Sequence, residues 1–141
     1  MIQRVNFINR GSMQNMIPLP TWAAVSISEQ TETKLKHGWY AIHRSFFHDV
    51  DPLVNKTDEP HVLMNATHAE NIVAFVESVA PYIDVMFVNC MGGISRSAAV
   101  AKWVAERFSL PFDQHYAPYN KHVYKLMCEA GQRYKDKNNE S

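Results

Sequence analysis

At 141 residues, 46% of them hydrophobic, the chain is long enough for one domain with a core of its own. Lys plus Arg and Asp plus Glu stand at 14 each, which argues against nucleic-acid and membrane partners held by bulk charge. No long apolar span is present, Met1-Ile2-Gln3-Arg4 is unlike an export leader, and two cysteines suit a reducing cytoplasm, so a cytoplasmic protein is expected.

In chain order, Val5 to Ile8 reads as a strand and Gly11 to Pro20 as a turn-rich connection. Trp22 to Ser28 is a second strand, followed by a polar stretch from Glu29 to Gly38. A third strand covers about His43 to Phe47 and leads to two carboxylates, Asp49 and Asp51. Asn55 to Ala66 is polar and includes Asp58 in a solvated loop pattern. Thr67-His68-Ala69-Glu70 has capping-box spacing, and Ile72, Val73, Phe75, Val76 and Val79 continue it as an amphipathic helix that Pro81 ends. Asp84 to Val88 is a short apolar run typical of a buried strand. Ser97 to Phe108 follows as a helix with a stripe of Val100, Trp103, Val104 and Phe108. Leu110-Pro111 and Ala117-Pro118 bracket a loop, and Asn120 can cap a last helix through about Tyr134, leaving 135–141 as a frayed tail. Strands alternating with helices predict an α/β domain over 1–141: a mainly parallel central sheet flanked by helices on both faces.

The chemistry gathers at Val88-Asn89-Cys90-Met91-Gly92-Gly93-Ile94-Ser95-Arg96-Ser97, between the apolar strand and the helix. A helix N-terminus presents unpaired N–H groups and the positive end of the macrodipole, a setting that favours a phosphate dianion and a thiolate alike. Cys in such a place can have its pKa lowered from about 8.5 to roughly 3.5–7.5. Gly92 and Gly93 allow the backbone to approach a ligand closely, and the Arg96 guanidinium offers a planar fork to two phosphoryl oxygens. Met91, Gly92, Gly93, Ile94, Ser95 and Arg96 are therefore the candidate phosphate-binding residues, and Cys90 the nucleophile.

The run Asn89 to Val100 resembles the signature of cysteine-based protein phosphatases of the dual-specificity type within the tyrosine phosphatase superfamily, usually His-Cys-x-x-Gly-x-x-Arg-Ser. The resemblance implies that family's α/β fold and two-step phosphomonoester hydrolysis through a phosphocysteine. It implies that Ser97 stabilises the departing thiolate, although that position also suits a helix cap. It further implies an upstream Asp as general acid: Asp49 is the first candidate, Asp51 the second and Asp58 the third. Asn89 departs from the pattern, standing where the family has His. Asn can hydrogen-bond the loop backbone but carries no charge, and reduced activity or a shifted pH optimum is expected.

Seven histidines are scattered without ligand spacing, so no metal or other cofactor is predicted. His48, beside Asp49, is placed to contact substrate or bias the acid. The loop has no basic residue besides Arg96, which favours a phosphorylated protein or another singly phosphorylated monoester as partner. In a compact chain, a shallow site would admit phosphoserine and phosphothreonine as well as phosphotyrosine. Two other readings stay open: a phospho-binding module without efficient catalysis, and other Cys-x5-Arg chemistry such as arsenate reduction or sulfur transfer, for which Cys128 is the one further thiol.

Overall fold

The computed structural model describes residues 1–52 and 61–139, so Asp58 lies outside the described residues. Its layering follows from the strand Val85–Cys90 (β4), whose six residues are all buried. A strand buried on both faces belongs in the middle of a parallel sheet. The others are Arg4–Asn9 (β1), Trp22–Ser28 (β2) and Ala41–Phe46 (β3), in the order β1-β4-β2-β3 with every pairing parallel.

Successive side chains of β4 point to opposite faces. Met86, Val88 and Cys90 enter the larger core, which is closed by the helices Ala66–Val79 (α2), Arg96–Phe108 (α3) and Lys121–Asn139 (α4). Val85 and Phe87 enter a smaller cluster with Met13 of the short helix Arg10–Asn15 (α1). Trp22 and Trp39 complete that side, their rings 4.9 and 5.9 Å from Phe87. Among the described residues the sheet therefore has helices on both faces, three against one.

Several boundaries differ from the sequence reading. The turn-rich stretch after β1 contains α1, which has little propensity of its own but is capped by Asn9, whose side chain accepts from the Ser12 amide at 2.7 Å. Burial of Met13 anchors it. Helix α2 is capped by Asn65 and His68 reciprocally, at 2.9 and 3.0 Å, rather than by Thr67 and Glu70. His supplies the return hydrogen bond that Glu usually gives in such a box. Helix α3 begins at Arg96, one residue before Ser97, and α4 continues through the expected frayed tail to Asn139. Among the described residues no helix is long and apolar enough to cross a membrane.

Candidate active site

All four strands are parallel, so their carboxyl ends open on one edge, where ligands of open α/β sheets bind. Pairing Asn9 with Cys90 and Ser28 with Phe46 sets the loops after each strand side by side. Four contributions meet there: Asn9 and Arg10 after β1, Glu29 after β2, Phe47 to Asp49 after β3, and Cys90 with its loop after β4.

That loop turns tightly over Met91 to Ser95. Gly93 has φ +66°, and a Cβ on it would sit 2.3 Å from the Asn9 amide nitrogen and 2.4 Å from the Ile8 carbonyl carbon. Only glycine meets both the left-handed backbone and the approach to β1. Gly92 faces no such restriction, because its nearest neighbour would be 3.9 Å away.

Cys90 is 2% exposed, and its Sγ lies 3.1 Å from Ser97 Oγ. Burial pushes the thiol pKa up. The Ser97 hydroxyl and amide, the Arg96 charge and the Gly93 amide pull it down, and together they win, leaving it below that of an ordinary thiol. Ser97 therefore sits in the first turn of α3 and serves the sulfur rather than capping the helix. The cap residue is Ser95, whose side chain makes no capping bond and instead donates to Asp49 Oδ1 at 2.8 Å.

Arg96 is 3% exposed and held from two sides. Its Nη1 donates to the Phe47 carbonyl at 2.7 Å, and its Nη2 lies 3.7 Å from Glu29 Oε1. Its Nε is buried with no partner among the described residues. An orphaned buried donor is what an arriving oxyanion can satisfy.

Of the candidate acids, Asp49 is tied to the loop. Its Oδ1 accepts from Ser95 Oγ and from Asn120 Nδ2, both at 2.8 Å. Asp51 is half-buried two residues further along. Asn120 does cap α4, its Oδ1 accepting from the Val123 amide at 3.0 Å. Its other contacts, from its side chain to Asp49 and to the Val50 carbonyl at 3.2 Å and from its main-chain amide to the Ser95 carbonyl at 3.1 Å, join the Asp49 loop to the cysteine loop.

Asn89 is fully buried, and its Nδ2 donates to Thr33 Oγ1 at 3.4 Å, so it braces the connection after β2 rather than the cysteine loop backbone. Arg44 Nη1 holds the Thr33 carbonyl at 2.7 Å, while Asn89 Oδ1 has no partner among the described residues. His48 lies over Glu29: its Nδ1 accepts from the Val62 amide at 2.9 Å and its Nε2 is 3.9 Å from Glu29 Oε2. Glu29 and Thr33 were not singled out by the sequence, because polar residues in a polar stretch carry no local signal. Among the described residues no group of three or more His, Cys, Asp or Glu is gathered to hold a metal ion.

Against known proteins, no family model and no curated protein matches the sequence. Solved structures do match. Human DUSP28 superimposes with a TM-score of 0.59 over 94% of this chain and 94% of its own, at 16% identity. The fold is dual-specificity-phosphatase-like. At that identity the likeness is one of architecture: a parallel α/β sheet on which, in this chain, Cys90, Arg96 and Asp49 reach the same carboxyl edge.

Proposed function

We propose that the protein is a cysteine-dependent phosphatase that hydrolyses phosphomonoesters on proteins, phosphotyrosine and also phosphoserine and phosphothreonine, through a phosphocysteine. The observation that carries this reading is the Cys90 sulfur, 3.1 Å from the Ser97 hydroxyl and faced by the Gly93 and Ser97 amides, beside an arginine whose Nε has no partner among the described residues. In the first step Cys90 Sγ attacks phosphorus, the S–P bond forms and the P–O bond breaks, and Asp49 gives its proton to the leaving oxygen. Arg96 and the loop amides hold the three phosphoryl oxygens. In the second step Asp49 takes a proton from water, the water oxygen bonds phosphorus, and the sulfur leaves as a thiolate stabilised by the Ser97 hydroxyl. Phosphate and free enzyme result.

Side chains on the loop support a singly phosphorylated substrate, since Met91 and Ile94 are 56% and 55% exposed and uncharged. Two free cysteines suit the reducing cytoplasm in which a thiolate nucleophile stays usable. A second reading, a phospho-binding module with weak catalysis, draws on Asn89 in place of the family's histidine and on the near-complete burial of Cys90. Hydrolysis of p-nitrophenyl phosphate across pH 5–8 separates the two. Turnover lost in Cys90→Ser and blocked by vanadate is the expected result. Absence of turnover in the wild type, with vanadate still bound, would establish the binding module instead.

A further inference from the structure

A loop that cradles an anion must turn its N–H groups inward, and each peptide plane then turns its carbonyl outward. An outward carbonyl keeps that orientation when a donor outside the loop holds it. Three carbonyls here are held in this way. Met91 O accepts from the Arg10 amide at 3.2 Å, Ile94 O from the Tyr116 hydroxyl at 2.6 Å, and Ser95 O from the amides of Ala99 and Asn120, each at 3.1 Å. All of these donors are main-chain amides except Tyr116.

The position of Tyr116 is itself fixed. It lies in the connection between α3 and α4, its amide donates to the Asp113 carbonyl at 3.1 Å, and its ring meets Phe7 of β1 edge-on at 5.0 Å. Phe7 packs in turn on Phe112 at 5.8 Å. Resting on the phosphatase reading above, we propose that Tyr116 is a positioning residue for the phosphate cradle. Its hydroxyl pins the Ile94 carbonyl outward, and the Ser95 N–H, in the same peptide plane, is thereby turned toward the anion. Burial and the neighbouring Cys90 thiolate both push the Tyr116 pKa up, so the phenol remains a protonated donor while Cys90 is ionised.

Tyr116→Phe deletes this donor and keeps the ring on Phe7. The variant is compared with the wild type in full-length protein for vanadate inhibition, kcat and KM on p-nitrophenyl phosphate, thermal unfolding, and the pH midpoint of Cys90 alkylation read by peptide mass spectrometry. Vanadate inhibition weaker by about three- to tenfold with a matching fall in kcat, in protein that still unfolds cooperatively, is the expected outcome for one lost hydrogen bond. Unchanged vanadate inhibition and kcat, whether or not the melting temperature falls, would overturn the proposal and leave the bond a structural tie. Failure of the phosphatase reading looks different: the wild type itself does not turn over the ester, whether or not it binds vanadate. The alkylation midpoint then decides, a rise in Tyr116→Phe supporting the positioning role and an unchanged midpoint overturning it.

Discussion

A buried thiol resists ionisation, yet Cys90 is more acidic than an ordinary thiol because four groups favour its anion: the Ser97 hydroxyl and amide, the Arg96 charge and the Gly93 amide. The thiolate is therefore favoured at lower pH than in a free cysteine, and the proposed activity is expected to decline as pH drops through the lowered pKa. Removing the strongest of the opposing donors reverses part of that shift. In Ser97→Ala the pH midpoint of Cys90 alkylation and the acid limb of the pH–rate profile are expected to move upward together, and breakdown of the proposed phosphoenzyme is expected to slow because the departing sulfur loses its donor. The two carboxylates are separated by leaving group. If Asp49 is the acid, Asp49→Asn is expected to lower kcat on phosphotyrosine peptides by roughly 10²- to 10⁴-fold, the usual worth of general acid catalysis. The loss on p-nitrophenyl phosphate is smaller, since that leaving group needs no proton. Asp51→Asn stays closer to wild type in both assays, and the opposite order would reassign the acid.

Among the elements, the cysteine loop is shaped by the end of β1 as much as by its own sequence. Gly93 fits against Ile8 and Asn9 with no room for a methyl group and with φ at +66°. Backbone cannot step aside as a flexible side chain can, so Gly93→Ala combines left-handed strain with a clash. The variant is expected to lose more than about 2 kcal/mol of stability in urea unfolding, and to lose vanadate binding as well. Gly92→Ala serves as the comparison, because a methyl group there meets nothing nearer than 3.9 Å. Equal effects of the two substitutions would contradict this packing account.

Across the molecule, one buried asparagine links three separated parts of the chain. Asn120 caps α4 through Val123, holds the acid loop through Asp49 and Val50, and holds the cysteine loop through the Ser95 carbonyl. Asn120→Ala removes the cap and the side-chain clamps together, while its main-chain bond to Ser95 can persist. A loss of about 1–3 kcal/mol is expected from the cap and the unpaired buried groups. The fall in kcat should be steeper on phosphotyrosine peptides than on p-nitrophenyl phosphate, because the loosened group is the proposed acid. A variant that is destabilised but keeps the wild-type ratio of the two substrates would show that the clamp is structural only.

Local chemistry made the candidate loop legible, since a cysteine between an apolar strand and a helix start, with glycines between it and an arginine, forms a pattern readable within ten residues. The parallel sheet was equally readable, because buried strands and amphipathic helices alternate with different periods. Helix α1 was hidden because six residues around Gly11 have little propensity and stand on one buried methionine and a cap. The cap of α2 was misplaced because histidine can close a box in which Thr67 and Glu70 had the better-known spacing. Glu29, Thr33 and Tyr116 left no mark at all: each acts on a residue far away in sequence, Tyr116 reaching Ile94 and Glu29 reaching Arg96. Sequence by itself determined which residues are the candidates for reactive and anion-binding groups, because side-chain chemistry and local backbone freedom are properties of short segments. Only the tertiary structure decided which carboxylate, hydroxyl and amide stand around them, because strand order brings together loops that no local pattern connects.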